Sequence, residues 1–370
     1  MKTLKEKLSD IPLGLSGLSL GTVGLGGALS AFASQFSNLK NSQTGILETQ
    51  LIVQVITVFL CLIYCVLVSL KFALNHKQFL LDLKTPNASG FVPTLFMSIC
   101  CIANFIGWTI AKYGDASSYL MLIPNILMQI GFLGQLICLG FFFKHVFLKH
   151  DYKEDEAFAS WFVPLVGIGI CCGFTENLGN LIPIMYYQII WIVAFAFYLY
   201  IMPVVLYKFL FKPHKDMKDI PSMLIFAAPP NLLSVGLLTS FNPNILSKGI
   251  TPSVLNNESL YQILGFLMLL CCAVGVALFL CITRKVLKQS KFLFSWSCLT
   301  FPCAITTTSI FKYAQYFFVS TRVTNFAAFS YTLTTLGVIF LLLATAIIAY
   351  VNWKYIKHIF MVFKPKPEKA

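Results

Sequence analysis

Charge is what this sequence has least of. Asp, Glu, Lys and Arg make up 11% of its 370 residues, against about 25% in an ordinary soluble domain, while 58% are hydrophobic. A chain so poor in charge cannot cover a water-facing exterior, so the surplus apolar surface must face lipid. A soluble globule is excluded. The side-chain sets that catalysis needs are missing as well: there is no Ser/His/Asp set, no pair of carboxylates at depth, no phosphate-cradling Gly-Lys loop and no zinc motif. The five histidines (His76, His145, His150, His214 and His358) fall near the ends of apolar runs or between them. The twelve cysteines lie inside the runs, where Cys behaves as a small hydrophobe. An enzyme is therefore not expected, and neither is a metal or a cofactor. Acids and bases within the membrane mark proton relays and ion-coupling sites. Almost none is present here: Glu176, Lys112 and Lys312 lie near run ends and Asp10 borders the first run. That scarcity argues against a strongly proton-coupled pump.

The charges that are present are mostly basic, 27 against 14, for a formal net charge of +13. They never form a dense block with interleaved aromatics on a polar segment, so nucleic acid is not an expected partner. Instead they sit singly between ten apolar runs, at roughly 11–35, 47–74, 91–113, 119–147, 160–181, 183–211, 221–241, 259–283, 292–314 and 325–353. About 20 apolar residues span a bilayer, so ten helices use most of the chain. With the N-terminus inside, the inside segments hold 22 Lys and Arg and the outside segments hold 5, the asymmetry that the positive-inside rule requires. The expectation is one transmembrane domain over 1–370 in the cell membrane, with both termini, 1–10 and 354–370, cytoplasmic. The start also fits a secretory signal with an A-x-A site at Ala31, Phe32 and Ala33. Cleavage there would leave nine spans and put the basic C-terminal tail on the wrong side. The acidic patch Asp151 to Glu156 reads as a solvated loop.

Proline carries the organising pattern. It falls near the start of each odd run: Pro12, Pro93, Pro164, Pro229 with Pro230, and Pro302, at intervals of about 65 to 81 residues. Phe91-Val92-Pro93 with Ile99-Cys100-Cys101 matches Phe162-Val163-Pro164 with Ile170-Cys171-Cys172 at fixed offset. This reads as an all-α protein of five helical-hairpin repeats. The odd runs also carry small residues, among them Gly14, Gly17, Ser98, Gly167, Gly169, Ser234 and Thr306. Gly and Pro are common in transmembrane helices generally, but proline at one end of every odd run is a stronger pattern. Small side chains permit close backbone approach, and proline is tolerated where the freed carbonyl faces protein or a wet cavity. The odd helices are thus expected to form an inner ring, kinked at the prolines and lining a passage, inside a jacket of even helices. Such a conduit would be weakly polar and interrupted by aromatics such as Phe301, and hydrophobic constrictions of that kind can gate a channel. On composition alone Phe301 is one of 35 phenylalanines and reads as packing.

Ile11-Pro12-Leu13-Gly14-Leu15 with Leu18-Ser19-Leu20, Phe226-Ala227-Ala228-Pro229, and Trp296 with Thr300-Phe301-Pro302 resemble the tellurite-resistance/dicarboxylate transporter family. That family includes the plant slow-type anion channels. The resemblance runs from residue 9 to residue 355. It implies a homotrimer in which each protomer has its own pore, formed by the five odd helices and blocked by a phenylalanine of the ninth, here Phe301. It also implies small inorganic or organic anions as partners, selected without a fixed binding charge. Two mechanisms remain open: an anion channel or passive carrier, and a secondary exporter of sulfite, C4-dicarboxylate or oxyanions such as tellurite.

The charge count fixes a testable topology. In a chain lacking its native thiols, single cysteines at Lys40 and Lys248 should react with an impermeant maleimide outside whole cells, and cysteines at Lys149 and Lys215 should not. Labelling of the second pair would contradict the ten-span order.

Overall fold

A computed structural model of the protein describes residues 3–35, 43–85, 88–114, 119–148, 158–211, 220–244, 253–288, 292–319 and 327–364. The acidic patch and the four positions of the labelling test lie outside the described residues. In chain order the principal helices are α1 (Leu15–Ser34), α2 (Gln43–Leu74), α3 (Val92–Tyr113), α4 (Leu122–Phe142), α5 (Phe162–Val166), α6 (Ile184–Phe211), α7 (Ala228–Ser240), α8 (Glu258–Leu287), α9 (Thr300–Val319) and α10 (Ala327–Phe363). The short α5 continues directly into a 3-10 helix, Gly167–Asn177. Among the described residues there is no strand.

Among the described residues nine segments are long and apolar enough to cross a membrane, which makes this an all-α polytopic membrane protein. The expected ninth span is the exception. At 20 residues α9 has the length, but Thr306, Thr307, Thr308, Ser309, Lys312 and Gln315 dilute its apolar character. The last span also differs from expectation. Residues 354–363, expected in a cytoplasmic tail, continue α10 to Phe363. No Gly or Pro stops the helix before Pro365, and Ile356, Ile359 and Phe363 pack against the main core.

The odd helices close on themselves. Around the ring, α1 packs on α3, α3 on the 3-10 run after α5, that run on α7, α7 on α9, and α9 back on α1. Each even helix packs outside its odd predecessor, and α10 also reaches α1. Burial separates the two layers: the segment Pro221–Ser240 is 100% buried, whereas Glu258–Arg284 is 28% buried. The ends of the described chain meet on one face, where Lys7 Nζ donates to the Phe363 carbonyl at 3.5 Å.

The prolines start α-helices. Pro93 and Pro229 are second residues of α3 and α7, and Pro164, Pro230 and Pro302 are third residues of α5, α7 and α9. In the first turn the missing N–H leaves no internal bond unmade, and the fixed φ suits the helix. Each of these four helices is entered through a 3-10 turn, over Ala88–Gly90, Ala159–Trp161, Ile220–Ala227 and Phe294–Leu299. Pro12 lies just before α1, where its carbonyl accepts from the Leu15 N–H. The expectation of prolines within kinked α-helices is therefore replaced by prolines at the 3-10 to α junction.

Small residues set the interhelical distances. A Cβ added at Gly21 of α1 would sit 2.1 Å from Thr300 Oγ1 of α9, closer than any real contact. Gly21→Ala should therefore prise α1 from α9, costing about 1–3 kcal/mol and lowering the unfolding temperature in detergent. Gly140→Ala on α4, where a Cβ meets nothing within 4 Å, should leave that temperature unchanged or slightly raised.

Candidate functional site

Two cavities are lined mainly by residues of the ring. The first, of about 50 Å³, sits among the starts of the odd helices and takes wall residues from all five: Gly17, Thr94, Gly167, Pro229 and Ser297 are examples. The second, of about 60 Å³, lies toward the opposite ends and is lined by Gly24, Gly27, Asn104, Ile170, Gly173, Val235 and Thr308 among others. Phe301 and Leu232 belong to the walls of both. They are the residues common to the two linings. Phe301 is only half-buried while the neighbouring Thr300 and Pro302 are buried, as expected of a ring that borders empty space on both sides. Its edge rests over α1 where a Cβ at Gly24 would lie 3.5 Å from Phe301 Cδ2. Absence of a side chain at Gly24 leaves room for that edge of the ring.

The lining is neutral. Among the described residues that line either cavity, none is Asp, Glu, Lys, Arg or His. The first cavity is apolar apart from the hydroxyls of Thr94, Ser160 and Ser297. Those of Ser160 and Ser297 are buried with no hydrogen-bond partner among the described residues. The second cavity is more polar, through Gln54, Thr57, Asn104 and Thr308. Asn104 Oδ1 accepts from Asn177 Nδ2 at 2.8 Å. An anion passing this way would meet amide and hydroxyl dipoles, not fixed charge.

Of the residues singled out in the sequence, Phe301, Pro229, Pro302, Gly17 and Gly167 line the first cavity. The others line neither cavity and hold helices together. Ser98 Oγ lies 2.8 Å from Ser19 Oγ, joining α3 to α1. Thr306 Oγ1 accepts from Asn231 Nδ2 at 3.1 Å, joining α9 to α7. Ser234 Oγ accepts from Tyr313 OH at 3.1 Å across the same pair. Gly14 is pressed against Tyr355 and Ser297, and Gly169 against Ala194 of α6. Pro230 faces α8, where a Cβ at Gly275 would meet its ring at 3.0 Å. Pro12, Pro93 and Pro164 stand at helix starts outside both cavity walls.

One contribution was not anticipated. The even helix α2 reaches the second cavity with Gln54, Thr57 and Val58. Gly24, Gly26 and Gly27 leave α1 without side chains over this stretch: a Cβ at Gly26 would meet Thr57 Oγ1 at 2.8 Å, and one at Gly27 would meet nothing within 4 Å. The signal in the sequence was Gln50, Gln54 and Thr57, a polar stripe at helical spacing in an otherwise apolar run.

Two neutral cavities thus lie against a closed ring of helices in a chain with many membrane-spanning segments. Residues 10–354 match the voltage-dependent anion channel family, and the chain belongs to that family, a membrane anion channel or transporter. This is the family that the first-, seventh- and ninth-helix motifs resemble. No curated protein matches the chain.

The open space at Gly27 gives a direct test of the second cavity. Gly27→Leu extends into space that is open at the Cβ, so it should cut anion flux severalfold in reconstituted vesicles while leaving the unfolding temperature within a degree or two. A large loss of stability with unchanged flux per folded protein would show that the space is not on the conduction path.

Proposed function

We propose that this chain is a passive anion channel of the cell membrane, with its pore inside the single protomer and Phe301 as the gate. One observation carries the reading: Phe301, with Leu232, is shared by the walls of two cavities that are otherwise separate. A narrow apolar neck disfavours water, and a conduit blocked by one ring opens when that ring swings aside. Neutral dipoles on the walls suit an ion that must enter and leave quickly, since a buried fixed charge would hold it. The starts of the odd helices face the cytoplasm in this reading, because the basic residues concentrate on that side. Both termini are then cytoplasmic. The ring closes within one chain, so the trimer implied by family resemblance would carry three pores and not one central pore.

The exporter reading, with sulfite, dicarboxylate or tellurite as cargo, draws support from one feature. The 3-10 run Gly167–Asn177 is 11 residues long, whereas such runs rarely exceed 3–4 residues and mark hinges when they do. A hinge in the ring suits alternating access. Saturable, slow flux in vesicles would favour that mechanism, and discrete current steps favour the channel.

Phe301→Ala separates gating from packing. Removing the ring should raise anion conductance per assembled protein well above the wild-type level with no ligand added, and the current should reverse near the anion equilibrium potential. A Phe that served packing alone would behave otherwise: its truncation costs about 3–5 kcal/mol and gives less folded protein and less current. Wild-type or lower conductance from folded Phe301→Ala would end the gate assignment.

A further inference from the structure

Beyond the second cavity, two of the conduit's walls continue to a charged pair. On α9 the residues bordering open space recur at helical spacing: Phe301, Ile305 and Thr308 line cavities, and Lys312, one turn past Thr308, is again only half-buried. The 3-10 run after α5 has its own register. With three residues per turn, side chains at i and i+3 eclipse, so Gly167, Ile170 and Gly173, all cavity-lining, are followed on the same face by Glu176. The two rows end on each other. Lys312 Nζ lies 3.5 Å from Glu176 Oε2, with side chains 21% and 22% exposed.

The partners come from helices that are not neighbours in the ring. Going round, α9 stands between α7 and α1, and the 3-10 run stands between α3 and α7. The link therefore joins the two elements that flank α7. Both rows face the conduit below the pair, so the link lies over its end.

We propose that the Glu176–Lys312 ion pair caps the end of the conduit remote from the prolines, and that Lys312 is the group onto which an arriving small inorganic anion exchanges when the pair parts. The inference rests on the channel reading above. An ammonium held by a carboxylate presents little net charge to solvent, so the closed mouth neither traps anions nor repels them. Parting the pair uncovers one positive charge on the conduit wall and one negative charge opposite. An anion at Lys312 takes the place of the carboxylate.

The test reads reagent access and needs no current. In the full chain lacking native thiols, Gly27→Cys places a thiol in the second cavity, where a Cβ has open space. Its modification rate is measured from the mouth side with a sulfonate-bearing and with a trimethylammonium-bearing methanethiosulfonate at low ionic strength. Glu176→Gln leaves Lys312 alone, and the anionic reagent should gain roughly threefold while the cationic reagent slows, as one unit charge at about 6 Å in water produces. Lys312→Gln should do the reverse. The exchanged pair, Glu176→Lys with Lys312→Glu, restores the link and should return both rates to within about twofold of the parent. A merely structural bridge moves both reagents in the same direction in both single variants, and that result, or rates indifferent to all three variants, overturns the proposal. Failure of the channel reading is distinct: it would appear as absence of anion current in a chain whose reagent rates still follow the charge.

Discussion

Everything in this molecule depends on how closely five helices can approach in a solvent that does not push them together. Lipid tails are as apolar as Leu, so helices in a membrane associate through packing and hydrogen bonds rather than through a hydrophobic drive. Small residues supply the approach. Gly21 lies so near Thr300 that no side chain fits between α1 and α9, and Gly236 is similarly tight against Trp191 and Cys172. Closing the ring in this way leaves a lumen too narrow for a chain of water-sized sites unless side chains are absent from it, and Gly17, Gly24, Gly27, Gly167 and Gly173 provide that absence. One arrangement thus both packs the helices and hollows the interior.

Hydrogen bonding follows from the same constraint. With no water at depth, a hydroxyl or amide is satisfied only by a partner in the protein. Most hydroxyls donate to a carbonyl three or four residues earlier, as Thr22 does to Leu18 and Ser240 to Gly236. Others tie layers together: Asn352 of α10 donates to Thr22 of α1 at 3.0 Å and accepts from Tyr64 of α2 at 2.7 Å. Tyr313 of α9 reaches both Ser234 of α7 and the Gly265 carbonyl of α8. Polar groups spent in this way are unavailable to the conduit. The few that remain on its walls are neutral.

The layers were legible in the sequence because lipid imposes them: length, apolarity and the placement of Lys and Arg mark spans, and recurring Pro12, Pro93, Pro164, Pro229 and Pro302 mark alternate helices as a set. Which face of each inner helix borders the conduit was not legible. Protein contacts and lumen here are both lined by small and apolar residues, so no amphipathic contrast distinguishes them. Hence Ser98, Ser234 and Thr306, polar and at depth, suggested a pore wall but bridge helices instead. The prolines were placed correctly along the chain, yet sequence could not say whether each kinks an α-helix or starts one. That distinction depends on whether the preceding turn is 3-10. Phe301 was distinguishable from 34 other phenylalanines only by its Thr300-Phe301-Pro302 context, and the link between Glu176 and Lys312, 136 positions apart, depends on ring closure that no local pattern encodes.

The central claim is that two half-conduits meet at Phe301, and access from the two faces tests it most directly. Thr94→Cys lies on the first cavity and Thr308→Cys on the second. In oriented membranes of a chain lacking native thiols, with Phe301 intact, a small impermeant thiol reagent should modify position 94 only from the face carrying the helix starts and position 308 only from the opposite face. Modification of both positions from the same face, with Phe301 intact, would mean that the ring does not divide the passage and would contradict the account.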